Sequence, residues 1–103
     1  MLDEGVPFAD KERFAPAPDV VSRVLDGEAV LLDLASGKYL GLNAVATRAW
    51  ELFGAGKTLG EVRAALLDEF EVTRDVLDRD LDELLRDMQE RGLIVPQAGI
   101  TGA

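Results

Sequence analysis

Carboxylates are the one abundant reactive group in this chain. Asp and Glu number 20 against 11 Lys and Arg, and there is no Cys and no His. Between Thr73 and Gly92 the acids stand four residues ahead of arginines: Asp75 before Arg79, Asp82 before Arg86, Asp87 before Arg91. Two carboxylates can share acid–base work when a closed cleft drives their pKa values apart. Here each acid is instead one helical turn N-terminal to a base, the order that steadies a solvated helix face. The pattern reads as surface, and no catalysis is expected. Without imidazole or thiol, the usual nucleophiles, disulfides and transition-metal ligands are missing as well. No run combines alternating acids with the central glycine of a calcium loop, so neither metal nor cofactor is expected.

The formal net charge is −9, and residues 1–19, 20–72 and 73–103 each contribute −3. No basic region is hidden in the total, so phosphate backbones are repelled and nucleic acid is not an expected partner. The N-terminal "MLDEGVPFADKERF" places charges where a signal sequence needs an apolar core, and nothing in the chain is apolar for long enough to span a bilayer. A cytoplasmic protein without a membrane partner is the expectation, and the lack of Cys agrees with a reducing compartment.

At 103 residues the chain is sized for one domain. Residues 1–18, with Pro7, Pro16 and scattered apolar positions, read as a flexible arm from which Phe8 and Phe14 could dock. Three strand-like runs follow, Val20–Leu25, Ala29–Leu34 and Lys38–Leu42, punctuated by Asp26-Gly27 and Ser36-Gly37. Such pairs favour hairpins because glycine accepts positive φ at little cost. Asn43 then caps a helix bearing Val45, Ala49, Trp50, Leu52 and Phe53. Thr58 and Glu61 form a capping box for a second helix, and Thr73 caps a third, in which Leu77, Leu81, Leu84, Leu85 and Met88 recur before Gly92 ends it. Leu93–Pro96 could add a short closing segment, and 97–103 read as a loose tail. The domain at 19–96 is α+β: a three-stranded antiparallel sheet followed by three helices.

The motifs in that order resemble the PqqD-like family, the peptide-recognition domains of pathways that make ribosomally synthesised, post-translationally modified peptides. The resemblance covers about residues 19 to 95. It is carried by "SGKYLGLN", by Trp50-Glu51-Leu52, by the Gly56–Thr58 turn, by "DRDLDELLRDMQERGLI" and by Gly92-Leu93. It implies a winged-helix-like fold without chemistry of its own, which captures a precursor's leader segment as an added strand beside the third strand and under the third helix. The small, free-standing, acidic format is most like the leader-binding subunits of lasso-peptide clusters. The implied partners are a leader peptide and a processing enzyme such as a leader peptidase. A PqqD-type chaperone for a radical or quinone-cofactor pathway is the alternative within the family, and a winged-helix DNA-binding regulator the alternative outside it.

An edge strand can hydrogen-bond a second extended chain through its main chain, so the expected site begins with Lys38, Tyr39, Leu40, Gly41 and Leu42. Alternation puts Tyr39 and Gly41 on one face and Lys38, Leu40 and Leu42 on the other. Gly41 reads either as a point of close approach by a peptide or as a bulge or bend before Asn43. Tyr39 either floors an aromatic pocket or bridges sheet and helix with its hydroxyl in water. On the third helix Val76, Asp80, Leu84 and Asp87, at spacings of four, four and three, are the expected groove margin, with Asp80 a selector for a basic or amide group. Trp50 is assigned to the core.

Overall fold

The computed structural model describes residues 8–97. In chain order the elements are β1 (Arg13–Pro16), β2 (Val20–Leu25), β3 (Glu28–Asp33), β4 (Tyr39–Gly41), α1 (Ala44–Gly54), α2 (Leu59–Glu69), α3 (Arg74–Glu90) and β5 (Ile94–Gln97). Asp26 and Gly27 both adopt positive φ, 54° and 80°. That is the two-residue turn whose twist matches the flanking strands, and it sets Leu25 opposite Glu28. The order β2-β3-β4 is antiparallel throughout. Three helices follow, giving the expected winged-helix-like α+β fold.

One face of the sheet is core. Ala29 and Leu31 are buried while Val30 between them is 44% exposed, and Leu42 is buried at the end of the same face. α1 packs against β3, and the same core takes in Ala49, Leu52 and Phe53 of α1, Val62 and Leu66 of α2, and Leu77, Leu81, Leu85 and Met88 of α3. The three caps form as the sequence indicates: Asn43, Thr58 and Thr73 each accept a backbone N–H from the third residue beyond. On α3 the pairs Asp82–Arg86 and Asp87–Arg91 form. Arg74–Asp78 takes the place of the expected Asp75–Arg79.

The arm expected over residues 1–18 needs correction from Phe8 onward. β1 pairs antiparallel with β5, Phe14 opposite Pro96, in a second, two-stranded sheet. The Phe14 ring is 1% exposed and meets Phe8 and Phe53 edge-on, with centroids 5.6 and 5.5 Å away. Farther back, the Glu12 and Asp10 carbonyls accept the Leu59 and Gly60 amides at 2.9 Å, covering the first turn of α2. A Cβ at Gly60 would come within 3.2 Å of the Asp10 Cβ, so glycine is what lets this segment lie flat there. Arg63 then ties it down, bonding Asp10 at 2.8 Å and also Asp78 of α3. The closing segment after Gly92 is β5, which includes Gln97. Residues 1–7 of the expected arm and 98–103 of the expected tail lie outside the described residues.

The capping box of α2 gives a pH signature. The Thr58 N–H donates to the Glu61 carboxylate at 2.9 Å, and the Glu61 N–H donates to Thr58 Oγ1 at 3.2 Å. The Thr58 amide holds the Glu61 carboxyl below the ordinary glutamate range, assisted by Lys57 and Arg13. A pKa depressed by folding means stability that is complete above the unfolded value and lost as pH falls through the folded one. Glu61→Gln is therefore expected to lower the urea midpoint at pH 7, and the gap from wild type is expected to close as pH falls below the ordinary glutamate range. A constant gap at every pH would show that the carboxylate charge is irrelevant to the cap.

Candidate functional site

Among the described residues β4 pairs with β3 on one side only. The Leu42 N–H donates to the Ala29 carbonyl at 2.7 Å, and the Asp33 N–H donates to the Lys38 carbonyl at 2.9 Å. Antiparallel pairing alternates, so Lys38, Leu40 and Leu42 turn their backbone groups toward β3. Tyr39 and Gly41 turn theirs outward, presenting two N–H and two C=O groups along a free edge. The Tyr39 carbonyl accepts the Arg91 guanidinium at 3.3 Å, which confirms its outward direction.

Between that edge and α3 runs a groove of about 320 Å³. Its apolar lining comes from Leu40 on β4, from Leu42 just after it, and from Leu77, Leu81 and Leu84 on α3. Leu77, Leu81, Leu85 and Met88 anchor α3 to the core, which rotates Leu84, Asp80, Glu83 and Asp87 toward the groove. Asn43, Val45 and Ala46 of the α1 N-terminus close one end. Arg91, reaching across from the C-cap of α3 to Tyr39, borders the other.

Six of the nine expected site residues line this groove: Leu40, Gly41, Leu42, Asp80, Leu84 and Asp87. Lys38, Tyr39 and Val76 do not. Lys38 precedes β4 and is exposed. The Tyr39 side chain is 65% exposed on the outer face of the sheet, opposite Leu32, so it floors no pocket, and the contribution of this residue to the edge is its backbone. Val76 lies exposed in the first turn of α3, outside the groove lining. The α1 turn, Leu77, Leu81 and Glu83 are the additions. Glu83, three residues after Asp80 and four before Asp87, was readable from the same spacing.

Gly41 pairs regularly with Val30, without a bulge, and a Cβ there would meet nothing within 4 Å. The packing of the chain itself does not call for glycine at this position. The edge is instead fixed from behind by Thr47, 4% exposed on α1, whose hydroxyl accepts the Ala29 N–H at 2.9 Å and donates to the Leu42 carbonyl at 3.4 Å. Thr47→Val keeps the shape and strands the buried Ala29 amide. The expected cost is about 1–3 kcal/mol of unfolding free energy by urea titration; no loss would mean that this bond does not hold the edge.

Among the described residues no group of three or more acids could hold a metal ion. No described helix is long and apolar enough to cross a membrane. The model of the family described as "Coenzyme PQQ synthesis protein D (PqqD)" matches residues 28–94, from the start of β3 to the start of β5. The chain belongs to the PqqD family. Among solved structures, this PqqD family member is similar to TbiB1 in complex with the TbiA(beta) leader peptide, with 37% identity, a TM-score of 0.71, and coverage of 84% of this chain and 98% of that one. It is also similar to lasso peptide synthetase B1 complexed with the leader peptide, with 31% identity, a TM-score of 0.72, and coverage of 82% and 99%. No curated protein matches it. The PqqD match and the likeness to two chains held with leader peptides agree with a recognition element.

Proposed function

We propose that this chain is a non-catalytic recognition element of lasso-peptide biosynthesis. It binds the leader of a ribosomally made precursor as an added strand on β4 and delivers it, in the cytoplasm, to a processing enzyme such as a leader peptidase. The observation that carries this reading is the free β4 edge, with the outward groups of Tyr39 and Gly41 beside an apolar groove. Two chains of the same fold, 37% and 31% identical, are held with leader peptides. In this role the Tyr39 and Gly41 main chain supplies affinity. Leu40, Leu42 and Leu84 receive alternate leader side chains, Asp80 and Asp87 face the leader from α3, and Lys38 and Val76 flank its path. The open space at Gly41 leaves room for close approach.

The magnitudes agree. With the Tyr39 carbonyl already held by Arg91, three main-chain bonds at about 1 kcal/mol net each and two buried leader side chains at about 2 kcal/mol each give roughly 7 kcal/mol gross. Association and ordering costs reduce this by several kcal/mol, so a preformed edge and groove are needed to reach micromolar binding. Isothermal titration with a synthetic cognate leader is the test. Saturable one-to-one binding at micromolar or lower Kd is expected; no binding at millimolar leader would overturn the proposal.

A further inference from the structure

The ion pairs divide the carboxylates of α3 unevenly. Asp78 is countered by Arg63 and Arg74, Asp82 by Arg86, and Asp87 by Arg91. Among the described residues Asp75, Asp80, Glu83 and Glu90 have no such partner. Asp80 and Glu83 are the two of these that line the groove, and no Lys or Arg lines it. Two like charges one turn apart, neither in an ion pair, concentrate negative potential in the half of the groove nearest Asn43. The other half carries Asp87, which is paired with Arg91.

We infer that the groove selects a leader with a lysine or arginine in this half. Its aliphatic stem lies along Leu81 and Leu84, and its charge reaches Asp80 and Glu83. This rests on leader capture by β4 and names the chemistry the leader must have. Register follows as well. β4 starts at Tyr39, beside Arg91, and runs toward Asn43, and every strand pair in its sheet is antiparallel. An incoming chain antiparallel to β4 has its N-terminal part near Asn43, so the base lies N-terminal to the leader residue facing Tyr39.

The test uses the full chain and a fluorescein-labelled cognate leader, with each leader lysine or arginine replaced in turn by norleucine. Asp80→Asn with Glu83→Gln is expected to weaken binding about tenfold at low salt, a loss that shrinks as salt rises. Asp75→Asn with Glu90→Gln removes the same charge off the groove and is expected to change binding less than twofold. Replacing the one leader base that meets the groove is expected to cancel the effect of the first double variant. Equal losses from the two double variants, no loss from the first, no cancellation by any norleucine leader, or a bound leader segment lacking any base would each overturn the inference. Failure of the wild-type chain to bind any leader would instead strike the proposed function itself.

Discussion

Tyr39→Pro is expected to weaken leader binding by at least tenfold while the domain stays folded. The Tyr39 amide points away from β3, so proline there breaks no ladder bond of the protein, and the first residue of a strand is where proline is tolerated. The incoming chain loses its donor, however. A leader carbonyl left without a partner against the edge costs about 1–3 kcal/mol, and the proline ring projects into the path of the added strand. Leu40→Pro makes the contrast. The Leu40 amide faces β3, opposite Leu31, a side chain with no solvent exposure, so proline at that position damages the sheet itself. Titration calorimetry with circular dichroism separates the two: Tyr39→Pro folded and binding-deficient, Leu40→Pro destabilised. Full binding by folded Tyr39→Pro would mean that the leader docks without using the edge.

Phe14→Ala is expected to produce the largest stability loss of any single truncation near the N-terminus, about 3–5 kcal/mol. The Phe14 ring is 1% exposed and wedged edge-on between Phe8 and Phe53, and its strand holds β5. Such a loss is a large fraction of the stability of an ordinary domain, and for one of this size it lowers the Tm by more than about 10 °C. Binding should suffer too. β5 follows the Gly92 turn directly, and the Ala17 amide bonds the Leu93 carbonyl at 3.0 Å, so the β1–β5 sheet fixes the end of α3 that forms one wall of the groove. Calorimetric melting of Phe14→Ala checks this. An unchanged Tm would return the segment to the status of a loosely docked arm.

The parts of this molecule that were legible in the sequence are those whose cause is local. Asp26-Gly27 declares a hairpin because few other pairs accept two positive φ angles, and Asn43, Thr58 and Thr73 declare helix starts because their side chains bond amides three residues on. β1 and its pairing with β5 were not legible, although Leu93–Pro96 read as a closing segment. Each strand has four residues and carries a proline, and their partnership spans some eighty positions, so neither period nor propensity marks the pairing. The groove divides in the same way. Helical spacing brought Asp80, Leu84 and Asp87 to one side, as expected. Val76, on the same spacing, is 39% exposed in the first turn of α3 and does not line the groove, a difference that helical spacing alone does not reveal. Alternation sorted Tyr39 and Gly41 from Leu40 and Leu42 correctly, but the core contacts of Leu42 decided which set faces inward, leaving the Tyr39 ring in solvent.

Strand addition makes a residue-by-residue claim about amide protons, and hydrogen exchange followed by NMR reads it directly. In the free protein Leu40 and Leu42 should exchange slowly, bonded to β3, while Tyr39 and Gly41 exchange quickly. With saturating leader, Tyr39 and Gly41 should become protected and the other two should change little. If Tyr39 and Gly41 still exchange at their free rates with leader bound, the leader is held elsewhere and capture on the β4 edge is wrong.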